Sequence, residues 1–198
     1  MIGGPLRGWS LVAWTALVVG GGAAGILASE GAGEAGLLEV LRATARTSLL
    51  LFLCVFLAST ARACWPNRAS EWLLENRRYL GVSFATSHAV HLAAIVGLTR
   101  VSAHRPDSAV LVLGGLGFLL ILAMAATSFD RTAALLGARR WKRLHTTGIY
   151  YIWAVFTLTY LGNAAKDPKA VVSVALLLGA LAFRLSRRRS GHAPATAH

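Results

Sequence analysis

The stretch Ser108–Ser128, SAVLVLGGLGFLLILAMAATS, decides the fold class. It runs from 108 to 128 without a charge, and a helix needs about 20 such residues to cross the hydrocarbon core of a bilayer. It does not alternate polar and apolar residues, as a membrane-spanning strand would. Lipid, not water, is the solvent this segment is built for.

Working outward, the same test picks out five more segments, roughly 9–28, 43–61, 79–98, 144–162 and 170–185, the last being the shortest. The composition agrees: 56% hydrophobic residues, 14% charged and a mean hydropathy of +0.58. In lipid every backbone polar group must be satisfied within its own segment. The expectation is an all-α fold, a polytopic membrane helix bundle of about six transmembrane helices. The run 9–28 follows Arg7, as a signal sequence would, but it is longer than a typical signal core and further spans follow it. It reads as a retained first helix. One bundle occupies 1–189, and 190–198, rich in Gly, Pro, Ala and Thr, reads as a disordered tail.

The chain carries 20 Lys and Arg against 8 Asp and Glu, a net charge of +12. Such a balance first raises nucleic acid as a partner, but the cations lie between the apolar runs, so membrane topology explains them and the partner is the lipid bilayer. The connections 62–78 and 129–143, the segment 184–189 and Arg7 together hold fourteen of these cations. The alternate side holds five: Arg42, Arg100, Arg105, Lys166 and Lys169. The positive-inside rule then puts both termini in the cytoplasm. Short connections imply antiparallel neighbours and leave no room for a second domain. Glycines 20–22, 25, 114, 115 and 117 suit either close helix contact or the ordinary glycine content of membrane helices.

Ionisable residues inside a span are costly and direct attention to function. The informative ones are Arg46, His88, His91 and His145, whereas His104, His192 and His198 fall in a connection or the tail. His88 and His91 are three apart and share one helix face, roughly 15 and 20 Å beyond Arg78. A neutral imidazole at that depth needs a hydrogen-bond partner, for which Ser83, Thr86 and Ser87 are at hand, or a metal. Zinc would need more ligands than this depth supplies, while haem needs one or two and suits an apolar bundle. Cys54 and Cys64 form no metal-binding spacing, and no nucleotide, phosphate or serine-hydrolase motif occurs.

Two motifs carry a resemblance. Arg77-Arg78-Tyr79-Leu80-Gly81 leads into a helix with His91 fourteen residues after Arg77, and Thr127-Ser128 precedes the run Gly137-Ala138-Arg139-Arg140-Trp141-Lys142-Arg143-Leu144-His145. From Arg77 to Leu161 the chain resembles the ferric-reductase-like transmembrane family, and within it the haem-binding membrane subunits of periplasmic methionine sulfoxide reductase systems.

The resemblance implies a core at about 43–162, residence in a bacterial inner membrane, b-type haem with His91 and His145 as axial ligands, and electron transfer from a cytoplasmic or quinol donor to an acceptor on the outer side. It leaves quinone or flavin open as a further cofactor, and a redox partner protein is expected because complete reductases of the family append a flavin and nicotinamide domain. His88 is an additional ligand candidate, and Arg46 a partner for a haem propionate or a side chain reaching for the outer headgroups. Leu158 departs from the family, which typically has a second histidine thirteen residues after the first on this helix. His145 is only two residues beyond Arg143, so it and His91 lie at different depths and do not readily share one iron. A haem-free scaffold of the same fold is the alternative reading, and a small proton-linked transporter a weaker one.

Overall fold

The computed structural model describes residues 6–102 and 107–190. His104, Arg105, His192, His198 and the tail beyond Ser190 lie outside the described residues. Among the described residues every element is a helix: α1 (Trp9–Glu30), α2 (Glu34–Cys64), α3 (Arg68–Glu75), α4 (Arg77–Val101), α5 (Ser108–Ala126), α6 (Asp130–Leu136), α7 (Ala138–Asn163) and α8 (Pro168–Ser190).

All six expected spans are helices, and five of them, α1, α2, α4, α5 and α8, are long and apolar enough to cross a membrane. The exception is α7, which has the length, at 26 residues. Its apolarity is diluted by Thr146, Thr147, Tyr150, Tyr151, Thr157 and Tyr160. Three spans extend well past their expected limits, α7 by beginning at Ala138 instead of near 144. Helix α2 begins at Glu34 instead of near 43, because Glu34 complements the helix dipole and Glu39 pairs with Arg42 at 3.1 Å. An apolarity test stops at those charges, whereas the helix continues. Helix α8 likewise runs on to Ser190 through its basic end, so Ser190, expected in the tail, is helical.

The connections 62–78 and 129–143 are themselves partly helical. In α3, Asn67 accepts a hydrogen bond from the Ser70 backbone N–H at 3.0 Å while Ser70 Oγ accepts from the Asn67 N–H at 3.1 Å. This reciprocal cap starts a helix that length and hydropathy do not reveal. Helix α6 opens with Asp130 and stops at Gly137, whose φ of 77° lies where side chains other than glycine are strained.

Helices α2, α4, α5, α7 and α8 form a ring in which each touches the next and α8 returns to α2, while α1 packs on α2 and α4. Phe52, Phe56, Phe84, Ile121, Ile149, Ile152, Phe156 and Leu177 fill its interior. The antiparallel register of α2 and α4 is fixed by cross-helix contacts along their length. Arg77 Nη1 donates to Ser59 Oγ at 3.0 Å, Ser48 and Ser87 hydroxyls meet at 2.8 Å, and Thr44 meets His91 at 2.8 Å. Farther along, Leu37 fills the space over Gly97.

One end of the bundle gathers the basic connections. There the Gly8 N–H donates to Asn76 Oδ1 at 2.9 Å, Trp9 stacks on Phe129 with ring centroids 5.2 Å apart, Arg78 pairs with Asp130 at 2.7 Å, and Trp65 stacks on Phe183. Residues 6–9, α3, α6 and the C-terminal part of α8 therefore lie at one end of the bundle.

Candidate functional site

Two groups of histidines lie on the inner surfaces of the ring, at different levels. The deeper one is built on α4. His91 Nδ1 lies 2.8 Å from Thr44 Oγ1, and Thr44, 3% exposed, is held on α2 by a bond to the Val40 carbonyl at 2.7 Å. His88, one turn earlier, stands among rings: Phe84 at 4.6 Å between centroids, Phe118 at 5.4 Å, His91 at 5.6 Å and Phe156 at 5.7 Å. Its Nδ1 is buried with no hydrogen-bond partner.

The hydroxyls expected to satisfy these rings do not do so. Ser87 bonds Ser48, Thr86 returns its proton to the Val82 carbonyl at 3.0 Å, and Ser83 Oγ is itself buried and unpaired. Hydroxyls on the same helix tend to bond back to its carbonyls. His91 takes its partner from the facing helix, and sequence spacing along α4 carries no signal of that.

The second group lies at the basic end. His145 on α7 stacks on Trp141, with ring centroids 4.2 Å apart, and its Nε2 is 3.1 Å from Thr127 Oγ1 at the end of α5. Trp141 Nε1 donates to the Thr127 carbonyl at 2.9 Å, so the two helix ends are locked together. His145 borders a cavity of about 870 Å³ with apolar walls that include Phe52, Phe84, Ile121, Ile149 and Ile152. Arg77, Arg78, Lys142 and Arg184 also line it, against the two acids Glu75 and Asp130. Glu75 faces Arg7, outside this set, at 3.8 Å, while Asp130 pairs with Arg78, which leaves Arg77, Lys142 and Arg184 in excess along the lining. Arg184 is anchored from α8: Nε donates to Tyr150 Oη at 3.1 Å, Nη1 donates to the Phe56 carbonyl, and the guanidinium lies over the Phe56 ring at 4.7 Å. An apolar slot rimmed by cations suits a flat apolar molecule bearing carboxylates.

Phe156 is level with His88, and His145 precedes it on α7 by eleven residues, about 16 Å along the axis. The structure does not bring His91 and His145 together, and neither His88 nor His91 lines the cavity. Leu158 is 56% exposed. Two residues from the inward-facing Phe156, it is turned by about 200° away from the ring interior. Arg46 is exposed and lies beside Tyr160, whose hydroxyl donates to the Ala45 carbonyl at 3.4 Å. Arg46 lines no cavity shared with the histidines.

The donor set suits haem better than a bare ion. Among the described residues no three His, Cys, Asp or Glu side chains gather as metal ligands. Isolated imidazoles in an apolar bundle match a cofactor that brings four ligands of its own.

Comparison with known proteins agrees with this chemistry. The protein-methionine-sulfoxide reductase heme-binding subunit MsrQ of Salmonella enteritidis PT4 is 30% identical over 172 residues, spanning 76% of this chain and 77% of the relative. The chain belongs to the MsrQ family. The MsrQ of Salmonella newport shows the same identity and coverage, and that of Cronobacter sakazakii is 29% identical over 136 residues, 61% of this chain and 66% of the relative. No family profile matches the chain, and no solved structure does. MsrQ membership agrees with the Arg-Arg-Tyr-Leu-Gly and Trp-Lys-Arg-Leu-His motifs, and an all-helical bundle with several apolar helices makes the chain an integral membrane protein.

Proposed function

We propose that this chain is a haem-binding electron-transfer subunit of a protein methionine-sulfoxide reductase, the assembly for which its MsrQ relatives are named. The observation that carries the reading is the pair of histidine stations, His91 deep in the ring and His145 at the cation-rimmed cavity, about 21 Å apart along the helix axis, His88 lying about 16 Å from the level of His145 and His91 one turn farther. Bound haem supplies a one-electron couple. His91 holds iron at the deeper station, with His88 beside it as a second imidazole, and His145 holds it at the basic end. Arg77, Arg184 and Lys142 neutralise carboxylates there, and the apolar walls exclude water. Arg46 takes no part, since it is exposed and about 200° around α2 from Thr44.

The basic end faces the cytoplasm of a bacterial cell by the positive-inside rule, and electrons pass from a donor on that side, or from a quinol, to a partner protein on the other. Leu158 favours the second reading, a haem-free scaffold, because it stands where the family usually has a second histidine. Absorption spectra of the detergent-purified chain from haem-replete cells separate the two. A Soret band that shifts on reduction with dithionite and weakens in His91→Ala supports the electron-transfer reading. A colourless protein overturns it.

A further inference from the structure

Thr44 is a residue that neither motif nor composition singles out, yet its hydroxyl is a side-chain hydrogen-bond partner of His91, beside the backbone of Leu41 and the ring of His88. We propose that Thr44 is the positioning residue for His91, holding the ring as the Nδ1–H tautomer with Nε2 bare and available to a metal. The Thr44 hydroxyl has a single hydrogen. It lies 2.7 Å from the Val40 carbonyl and 3.2 Å from the Leu41 carbonyl, both on its own helix. A β-branched side chain in a helix interior has few rotamers, and back-bonding to the preceding turn is a favoured one. With the hydrogen committed there, Thr44 Oγ1 presents a lone pair to His91 Nδ1 at 2.8 Å. A bare Nδ1 would set lone pair against lone pair, so the proton resides on Nδ1 and Nε2 is left without one. Thr44 is only 3% exposed, which limits the access of bulk water as a competing partner.

His145 has the opposite arrangement. Thr127 bonds back to the Ala123 carbonyl at 2.8 Å, but its Oγ1 meets Nε2 of the ring. The same device therefore leaves Nε2 free at the deep station and engages it at the basic end.

This inference rests on the haem reading for its purpose but not for its test. In the full chain with labelled histidine, purified in detergent and free of haem, ring ¹⁵N shifts distinguish a protonated from a bare nitrogen. The expected result is a protonated Nδ1 and a bare Nε2 for His91, kept in Thr44→Ser and replaced by a tautomer mixture in the isosteric Thr44→Val. After haem is added, Thr44→Val binds it roughly 10- to 100-fold more weakly, the usual cost of losing such a supporting contact. A wild-type His91 protonated on Nε2, or a Thr44→Val ring unchanged from wild type, overturns the inference. Should Thr44→Val fail to fold, the wild-type tautomer alone decides. A colourless chain with the Nδ1–H tautomer intact would defeat the haem reading and leave this one standing.

Discussion

Phe156 on α7 meets His88 on α4 edge-on, with ring centroids 5.7 Å apart and planes at 85°. That contact calibrates depth in the bundle, because α4 and α7 start from the same basic end. It puts His145 about 16 Å back along α7 from the level of His88. Axial ligands of a single iron must lie within about 4–5 Å of each other, twice a metal–nitrogen bond of roughly 2 Å, so the two stations act separately. His145→Ala is expected to leave the His91-dependent haem signal unchanged, and His91→Ala the His145-dependent one, with losses that add in the double variant. Haem content per chain, measured as the pyridine haemochrome, checks this. Complete loss in both single variants would show one shared site.

Gly148 is the glycine on which the α5–α7 contact depends. A Cβ there would lie 2.6 Å from Met124 Sδ, and only a shift of that flexible side chain could relieve it. Gly148→Ala is expected to lower the thermal midpoint in detergent at a cost of about 1 kcal/mol, the low end for overpacking, because the unbranched Met124 can move aside. Gly115→Ala, with nothing within 4 Å of the added atom, is expected to be neutral or slightly stabilising.

The glycines also show where sequence reading stops. The clusters at 20–22 and at 114–115 are the visible ones, yet none of them has an atom within 4 Å of a built Cβ, and Gly117 makes only an ordinary contact with Tyr151 at 3.8 Å. The close approaches occur at isolated Gly36, Gly97 and Gly148. Hydropathy fixes which segments enter lipid, because the cost of burying charge is local to each segment. It carries no information on which face of a helix meets which neighbour, since lipid is as apolar as the core. For the same reason His88, His91 and His145 were legible as costly residues, while Thr44 and Arg184, which hold the site from other helices, were not. The capped α3 was missed because its signal is a reciprocal Asn67–Ser70 bond, not an apolar run.

Arg184 ties three helices together through Tyr150, the Phe56 carbonyl and the Phe56 ring. Arg184→Gln is expected to destabilise the bundle by about 1–3 kcal/mol, the range for losing charge-assisted hydrogen bonds at a partly buried site. Arg184→Lys should retain part of the loss, since a point charge cannot reproduce the fork. Unfolding midpoints of the three proteins in one detergent give the comparison.

Leu135 on α6 is 87% exposed at the basic end, and Asp167 lies in the α7–α8 connection at the other. With Cys54 and Cys64, both free, replaced by serine, a cysteine introduced at 135 should react with a membrane-impermeant maleimide only after cells are opened. One introduced at 167 should react in intact spheroplasts. The reverse pattern would invert the orientation argued from the basic connections.

Transfer across the bilayer is the central claim, and reconstituted vesicles test it most directly. Haem-loaded chain is placed in sealed liposomes with ferricyanide trapped inside, and dithionite is added outside. The account predicts bleaching of the trapped ferricyanide that depends on the chain and is lost in His91→Ala. Ferricyanide that keeps its colour while the haem itself becomes reduced would contradict it.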